Sequence, residues 1–423
     1  MENYCEESER AKNYKKSSLK KTVAVLGTFD SKGEEFTYLI EKIKESGVNV
    51  LSIDAGTKEN SYKTDISNKE VARLGGGDIE DLGNSRRDAL GTMSAGVSKV
   101  VKGLFEEGRI DGIISMGGSG GTVLAAAAMR VLPVGFPKVL VSTVASSSRI
   151  FDYVDTSDVF FINSIVDVSG LNSIIRKVYD EAAGAIAGAV KTADFSKESH
   201  ERLRIAATMY GVTTPGVTTA KKYLEEIGYE IITFHAIGSG GRVMEKLIRE
   251  GYFDGVLDMT QTEIGMYVYG DRATSAGPDR CSGAAEMGIP CISCLGAMDM
   301  CSLGSLPVEG KRLYYHNGKR PSHFRPTVEQ SREAGRFLAE QLNKATRGQQ
   351  VIIPRKGLSM TDVEGGGTYG PEEDEALFRS LKENLNNLHI TLEEHDLNIN
   401  DKEFALIVAT RMDEIMKNHY RKG

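Results

Sequence analysis

One unit of the chain is written twice, and that repetition limits the fold more than any other feature. Residues 23–57 run as an apolar strand, a glycine-bearing loop, a helix ending at Gly47, a second strand and then Asp54-Ala55-Gly56. Residues 205–241 run as a strand, the loop 211–216, a helix ending at Gly228, a strand and then His235-Ala236-Ile237-Gly238. Seven positions separate the helix-ending glycine from Asp54 and from His235 alike. Downstream, the stretch from Arg109 to Met116 parallels that from Tyr252 to Met259. Short apolar strands alternating with helices form parallel sheets covered on both faces. The sequence therefore predicts an α/β chain of two Rossmann-like subdomains, each a parallel sheet flanked by helices, with related topology. Their expected limits are 21–195, an N-terminal nucleotide-binding subdomain, and 200–423, joined through the charged stretch 191–204. Residues 1–20 read as a disordered polar arm.

The most specific loop is Gly117-Gly118-Ser119-Gly120-Gly121, between an apolar strand over 110–116 and an alanine-rich helix that begins at Thr122. Without β-carbons such a loop can bring several N–H groups against an anion, and the helix start adds partial positive charge. No lysine follows it, so it is not the Walker pattern, and valine stands at 123 where G-x-G-x-x-G needs glycine. The reading is a phosphate cradle; the plain alternative is a tight turn in which the glycines only permit close packing.

A second loop lies at the same sheet edge: Gly27-Thr28-Phe29-Asp30-Ser31-Lys32-Gly33, after the strand 22–26 and before a helix over 34–46. Lys32 and Thr28 can meet phosphate oxygens, and Asp30 can hold a magnesium ion through its waters. Asp30 can equally cap the helix. Asp54 closes the next strand, where an acidic residue often meets a ribose.

In the second half the corresponding loop is polar and acidic, from Asp258 to Glu263. Gly238-Ser239-Gly240-Gly241, with Arg242 beside it, reads as a second anion cradle. Glu263, Asp299, Asp258 and His235 are the candidate catalytic acids and bases, although loop carboxylates commonly cap helices or bind backbone N–H groups. The glycine-rich loop 363–369 reads as a mobile lid. Cys281, Cys291, Cys294 and Cys301 include one C-x-x-C pair, which admits zinc. That pair falls on a strand, where positions three apart face opposite ways, which favours buried thiols.

The 423 residues carry a formal charge of −7 and are 40% hydrophobic. This argues against non-specific binding to nucleic acid or an anionic membrane. No run of about 18 apolar residues is present for a membrane span, and reduced cysteines suit a cytoplasmic protein.

The runs Gly27 to Lys32, Gly117 to Thr122, Ser142-Thr143-Val144-Ala145-Ser146, residues 163–172, Ser275 to Pro278 and Gly296 to Met300 occur in this order. They resemble the family of the tomato mosaic virus resistance protein, specifically its N-terminal ATP-binding domain. The resemblance implies two α/β subdomains, ATP with magnesium at the first, Ser142 and Thr143 among the binding residues, and a homodimer. In plants the domain is fused to a barrel and inhibits a viral replication protein; no barrel pattern follows here, so that role is not carried over. Ser147-Ser148 stands where the family pattern has Gly-Asp. The first expectation is an ATP-binding protein, an ATP-dependent enzyme acting on a small molecule in the cleft between the halves. The second is a nucleotide-responsive regulatory module without turnover. A third is an enzyme gripping another phosphorylated or acyl-carrier ligand.

Overall fold

Parallel strands with apolar residues on both sides need helices on both sides, and the chain supplies them. The computed structural model describes residues 20–84, 86–147, 149–193, 202–270, 274–314 and 321–420. The expected N-terminal arm, apart from residue 20, and most of the charged stretch 191–204 lie outside the described residues. Two compact units divide the chain, Met1–Ser199 and His200–Gly423.

The first unit holds strands β1 (Thr22–Gly27), β2 (Asn49–Asp54), β3 (Gly112–Gly117), β4 (Lys138–Ser142) and β5 (Phe160–Asn163), all parallel, in the order β2-β1-β3-β4-β5. Its helices are α1 (Phe29–Glu45), α2 (Asn68–Gly75), α3 (Arg86–Glu106), α4 (Ser119–Met129), the short α5 (Ile150–Val154) and α6 (Ser173–Thr192). Alternation along the strands sorts the core. Ala24, Leu26, Ile113 and Leu140 pack with Met93, Val97 and Val101 of α3 and Leu124 and Ala128 of α4. Val23, Val25, Ile114 and Val139 point the other way, onto Phe36 and Leu39 of α1 and Ile175, Tyr179 and Ile186 of α6. Burying each such aliphatic side chain contributes about 1.5–3 kcal/mol.

The second unit repeats the winding. Strands β6 (Arg204–Met209), β7 (Glu230–His235), β8 (Gly255–Thr260), β9 (Cys291–Gly296), β13 (Gln349–Pro354) and β14 (Ile390–His395) are parallel, in the order β7-β6-β8-β9-β13-β14. In both sheets the second strand lies outside the first and later strands add on the other side. The related topology expected from the sequence is therefore present. Helices α7 (Thr214–Glu226), α8 (Ser239–Arg249), α9 (Thr262–Val268), α10 (Gly283–Met287), α11 (Val328–Leu342), α12 (Pro371–Asn384) and α13 (Lys402–Tyr420) surround it. Between β9 and β13 is a small antiparallel sheet of β10 (Cys301–Ser302), β12 (His323–Arg325) and β11 (Arg312–Tyr314). On β9, Cys294 packs with α7 and α13 while Cys291 packs with α8 on the opposite face. Among the described residues, no cluster of histidine, cysteine and acidic groups suits a metal.

The helix expected over 34–46 begins earlier, at Phe29, and bends at Lys32, whose φ of −140° and ψ of 30° interrupt it. Helices α2 and α3 approach through two glycines: a Cβ at Gly75 would run into the Thr92 carbonyl, and one at Gly96 into the Val71 carbonyl. Gly96→Ala must push backbone apart and should lower stability by about 1–3 kcal/mol. Gly103→Ala on the same helix meets open space and should be neutral or slightly stabilising. Thermal unfolding of the two variants side by side checks this contrast.

Candidate functional site

In open parallel sheets, ligands bind beyond the carboxyl ends of the strands where the winding reverses. In the first unit that point lies between β1 and β3, and α4 begins there. Helix starts leave backbone N–H groups without internal partners. In α1, Phe29 donates its N–H to Asp54 Oδ1 at 3.1 Å. Ser67 caps α2 and Asn172 caps α6. Helix α4 has Gly118 as its N-cap and no side-chain cap at all.

The surrounding atoms are firmly placed. Gly117 is required by packing, since a Cβ there would stand 2.8 Å from the Gly121 Cα. Gly118 instead faces open space, with Thr143 Oγ1 the nearest atom at 3.9 Å. Thr122 Oγ1 donates to the Gly118 carbonyl at 2.9 Å and lies 2.7 Å from Ser142 Oγ, both hydroxyls turned inward. Ser142 Oγ accepts from the Val144 N–H, and the Thr143 N–H donates to the Gly117 carbonyl. Thr122 and Ser142 thus fix the cradle. The groups presented outward are the first-turn N–H groups of Ser119, Gly120 and Gly121.

The β1 and β2 loops do different work. Asp54 is buried; its Oδ1 accepts from Phe29 and Gly56, and its Oδ2 from Asn60. Burial raises its pKa against those bonds. It holds backbone rather than reaching outward for a ribose. Asp30 Oδ2 accepts from the N–H groups of Thr57 and Lys58 at 2.9 and 3.0 Å, pinning that turn. Lys32 Nζ donates to the Val168 carbonyl. Thr28 Oγ1 accepts from the Ser31 hydroxyl at 3.1 Å, and Gly27 lies against the Phe36 ring.

In the second unit the structure sorts the four acid and base candidates. Asp258 and Glu263 close on Arg280, which is completely buried. Arg280 grips Asp258 with two bonds of 2.6 and 2.7 Å, donates to Glu263 at 2.7 Å through Nε, and lies 3.6 Å from Glu245. Burial works to raise the pKa of Asp258, but the Arg280 charge and hydrogen bonds outweigh it and hold the group low. In Glu263 and Glu245 burial prevails and the pKa is raised. Glu263 Oε1 also accepts from the N–H groups of Gly238 and Gly241. The second anion cradle read from the sequence is therefore geometrically present but filled by the protein's own carboxylate. Arg242 turns away to the Ser275 carbonyl.

Asp299 is buried beside the loop after β13, accepting from Ser359 and Thr368 through Oδ2. That loop, expected to be a mobile lid, is anchored at Thr368 on a buried carboxylate. His235 is exposed and packs its ring 5.5 Å from that of Tyr210. Tyr210 in turn bonds His323 Nε2 at 2.7 Å. Three non-glycine residues at this edge, Cys281, Leu295 and Ala297, take positive φ, of 71°, 59° and 56°, a conformation usually left to glycine. The sequence does not announce the Arg280 network, because its partners lie 17 and 22 positions away.

Models of the uncharacterised protein family UPF0261 match in two stretches, its N-terminal domain over residues 21–194 and its C-terminal domain over 202–416. A UPF0261 protein of Clostridium tetani is 44% identical over 407 residues, covering 94% of this chain and 100% of its own. The ToMV resistance protein Tm-1(GCR237) of Solanum lycopersicum is 35% identical over 421 residues, covering 93% of this chain but 55% of its own length. The likeness carried by the motif runs thus spans nearly the whole chain. Among solved structures, UDP-GlcNAc 2-epimerase of Methanocaldococcus jannaschii covers 64% of this chain and 83% of its own at 10% identity and a TM-score of 0.24. At that score nothing about substrate passes across.

The buried Arg280 gives a direct check on what holds the second sheet edge. Arg280→Ala leaves Asp258 and Glu263 uncompensated and should cost about 3–5 kcal/mol in urea unfolding. Arg332→Ala breaks a surface pair with Glu329 and should cost less than about 1 kcal/mol.

Proposed function

The chain belongs to the UPF0261 family, and on that premise we propose that its first unit binds ATP with magnesium at the carboxyl edge of the first sheet. The phosphates lie on the first turn of α4, against the N–H groups of Ser119, Gly120 and Gly121. The carrying observation is that α4 alone among α1, α2, α4 and α6 starts without a side chain on its N–H groups, with open space at Gly118. An anion placed there gains both the donors and the helix dipole. Thr143 Oγ1 faces the same space. Gly27, Thr28 and Lys32 frame the neighbouring loop and, with Asp54, set its shape. Asp30 keeps its Thr57 and Lys58 bonds on Oδ2, leaving Oδ1 as the oxygen that would meet a hydrated magnesium ion.

One observation favours a binding and signalling role over turnover. Asp258 and Glu263 are locked on Arg280 and Asp299 is buried, so three of the four acid and base candidates are held by the fold rather than offered to a substrate. A nucleotide-responsive module needs only differential binding between two conformations. The enzyme reading keeps His235 as its exposed acid or base. A homodimer and a cytoplasmic location complete the proposal. Among the described residues no helix is long and apolar enough to cross a membrane, and Cys281, Cys291, Cys294 and Cys301 are buried and not joined in disulfides.

Calorimetric titration with ATP and magnesium tests the site, using nucleotide-free protein beside Gly120→Glu. A carboxylate in the first helical turn suits the helix dipole, so the variant should fold while repelling phosphate. Saturable binding in the parent, weakened at least about tenfold in the variant, is the expected result and corresponds to about 1.4 kcal/mol. No binding in the parent, or equal binding in both, removes the nucleotide from this loop. Direct titration with other phosphorylated compounds would then identify the ligand, whereas release of phosphate from ATP by a parent that does bind it would restore the enzyme reading.

A further inference from the structure

The last helix buries one face and turns an apolar patch outward on another. Phe404, Ala405, Val408, Ala409, Met412 and Met416 of α13 are buried with Leu257, Ile292 and Ile352 of the second sheet. The positions between them recur at spacings of three and four, so they form a stripe that points away from that core. Such outer stripes are ordinarily polar. Here Leu406 and Ile407 stand at the middle, half-buried, in a groove of about 620 Å³ that runs from α13 to His395 at the end of β14. β14 is the outermost strand on this side, and among the described residues no strand lies beyond it.

Charge is ordered along the stripe. Lys402 and Glu403 precede the apolar centre, and Thr410, Arg411 and Glu414 follow it. Within its own chain Arg411 meets Glu393 at 3.0 Å and Glu414 at 2.8 Å. If a second helix of the same sequence is laid end for end about Ile407, opposite charges face each other. Glu403 stands one turn before Ile407 and Arg411 one turn after, about 6 Å along the axis in each direction, so each Glu403 comes level with the other copy's Arg411. Lys402 falls within a turn of Glu414, Leu406 within a turn of Thr410, and Ile407 meets itself. A parallel pairing in register would set every charge against its like, and a slip of one turn would set Glu403 against Ile407.

We propose that this stripe is the surface on which a second copy of the chain docks, with the two α13 helices antiparallel across a two-fold axis. The proposal deepens the homodimer reading above and rests on it. A two-fold contact uses one patch twice, so the patch must be complementary to itself. Lys402 and Glu403 at one end of the stripe, answered by Glu414 and Arg411 at the other, give it that property. Leu406 and Ile407 supply the apolar centre that leaves water on docking, while the charges at the rim set direction and register. Because the groove continues to His395, the contact extends past the helix onto the edge of the sheet.

Sedimentation velocity of the full chain over a range of concentrations tests the surface, with circular dichroism to confirm that each protein is folded. The parent is compared with Glu403→Arg, with Arg411→Glu and with the double exchange of both. Glu403 is exposed and Arg411 lies at the surface, so the variants should fold. The parent should sediment as a dimer. Each single change sets like charges together twice across the axis and should raise the dimer dissociation constant at least about tenfold. The double exchange pairs opposite charges again and should return that constant to within about threefold of the parent, the signature of a direct contact in a double-mutant cycle. A parent that stays monomeric removes the homodimer and this surface with it. A dimeric parent whose single variants associate equally well, or a double exchange no better than the singles, overturns this surface and leaves a dimer formed elsewhere on the chain.

Discussion

The backbone N–H groups at the start of a helix need partners, and at the edge of a parallel sheet that need decides what each loop can do. Where a side chain answers it, the loop becomes part of the frame. Asp54 answers for α1, and Glu263 answers for α8 by placing its carboxylate on Gly238 and Gly241. Where no side chain answers, as in α4, the donors face whatever enters from outside. Two loops that look alike in sequence, Gly117 to Gly121 and Gly238 to Gly241, therefore have opposite fates. The difference is one acidic residue that reaches the second and has no counterpart at the first.

Glu263 can take that position only because Arg280 stands behind it. A guanidinium held away from water among Asp258, Glu263 and Glu245 draws together the end of β8, the start of α9, helix α8 and the turn before α10. Its planar fork suits the bidentate grip on Asp258. The positive φ values of Cys281, Leu295 and Ala297 lie in the same region. Local backbone strain of this kind persists where surrounding bonds over-determine the conformation, and Gln261, bonded to Leu295 and to Asp258, is one such tie.

Much of the fold was legible because it follows from local patterns. The duplicated strand, loop and helix units gave the common winding, and alternation on the strand carrying Cys291 and Cys294 separated the two thiols onto opposite faces. The early start of α1 was not legible, since it depends on Asp54 reaching back to Phe29 across 25 positions. The partners of Asp30, Lys32, Asp258 and Glu263 were hidden for the same reason. A carboxylate next to a glycine-rich loop reads the same whether it binds a metal, a substrate or a distant N–H group. Only the three-dimensional neighbours separate those roles.

The shared strand order also bears on how the chain is made. In each unit the strand that leaves the ribosome first, β1 or β6, ends in the interior of its sheet. The second strand covers one side, and every later one adds to a free edge on the other. A newly made strand thus meets a template already formed, and no strand has to be threaded between two others. The first sheet is complete by residue 163 and α6 covers it by residue 192, before β6 begins at Arg204. Synthesis from the amino end can therefore build the two halves in succession, with little apolar surface waiting for sequence not yet translated.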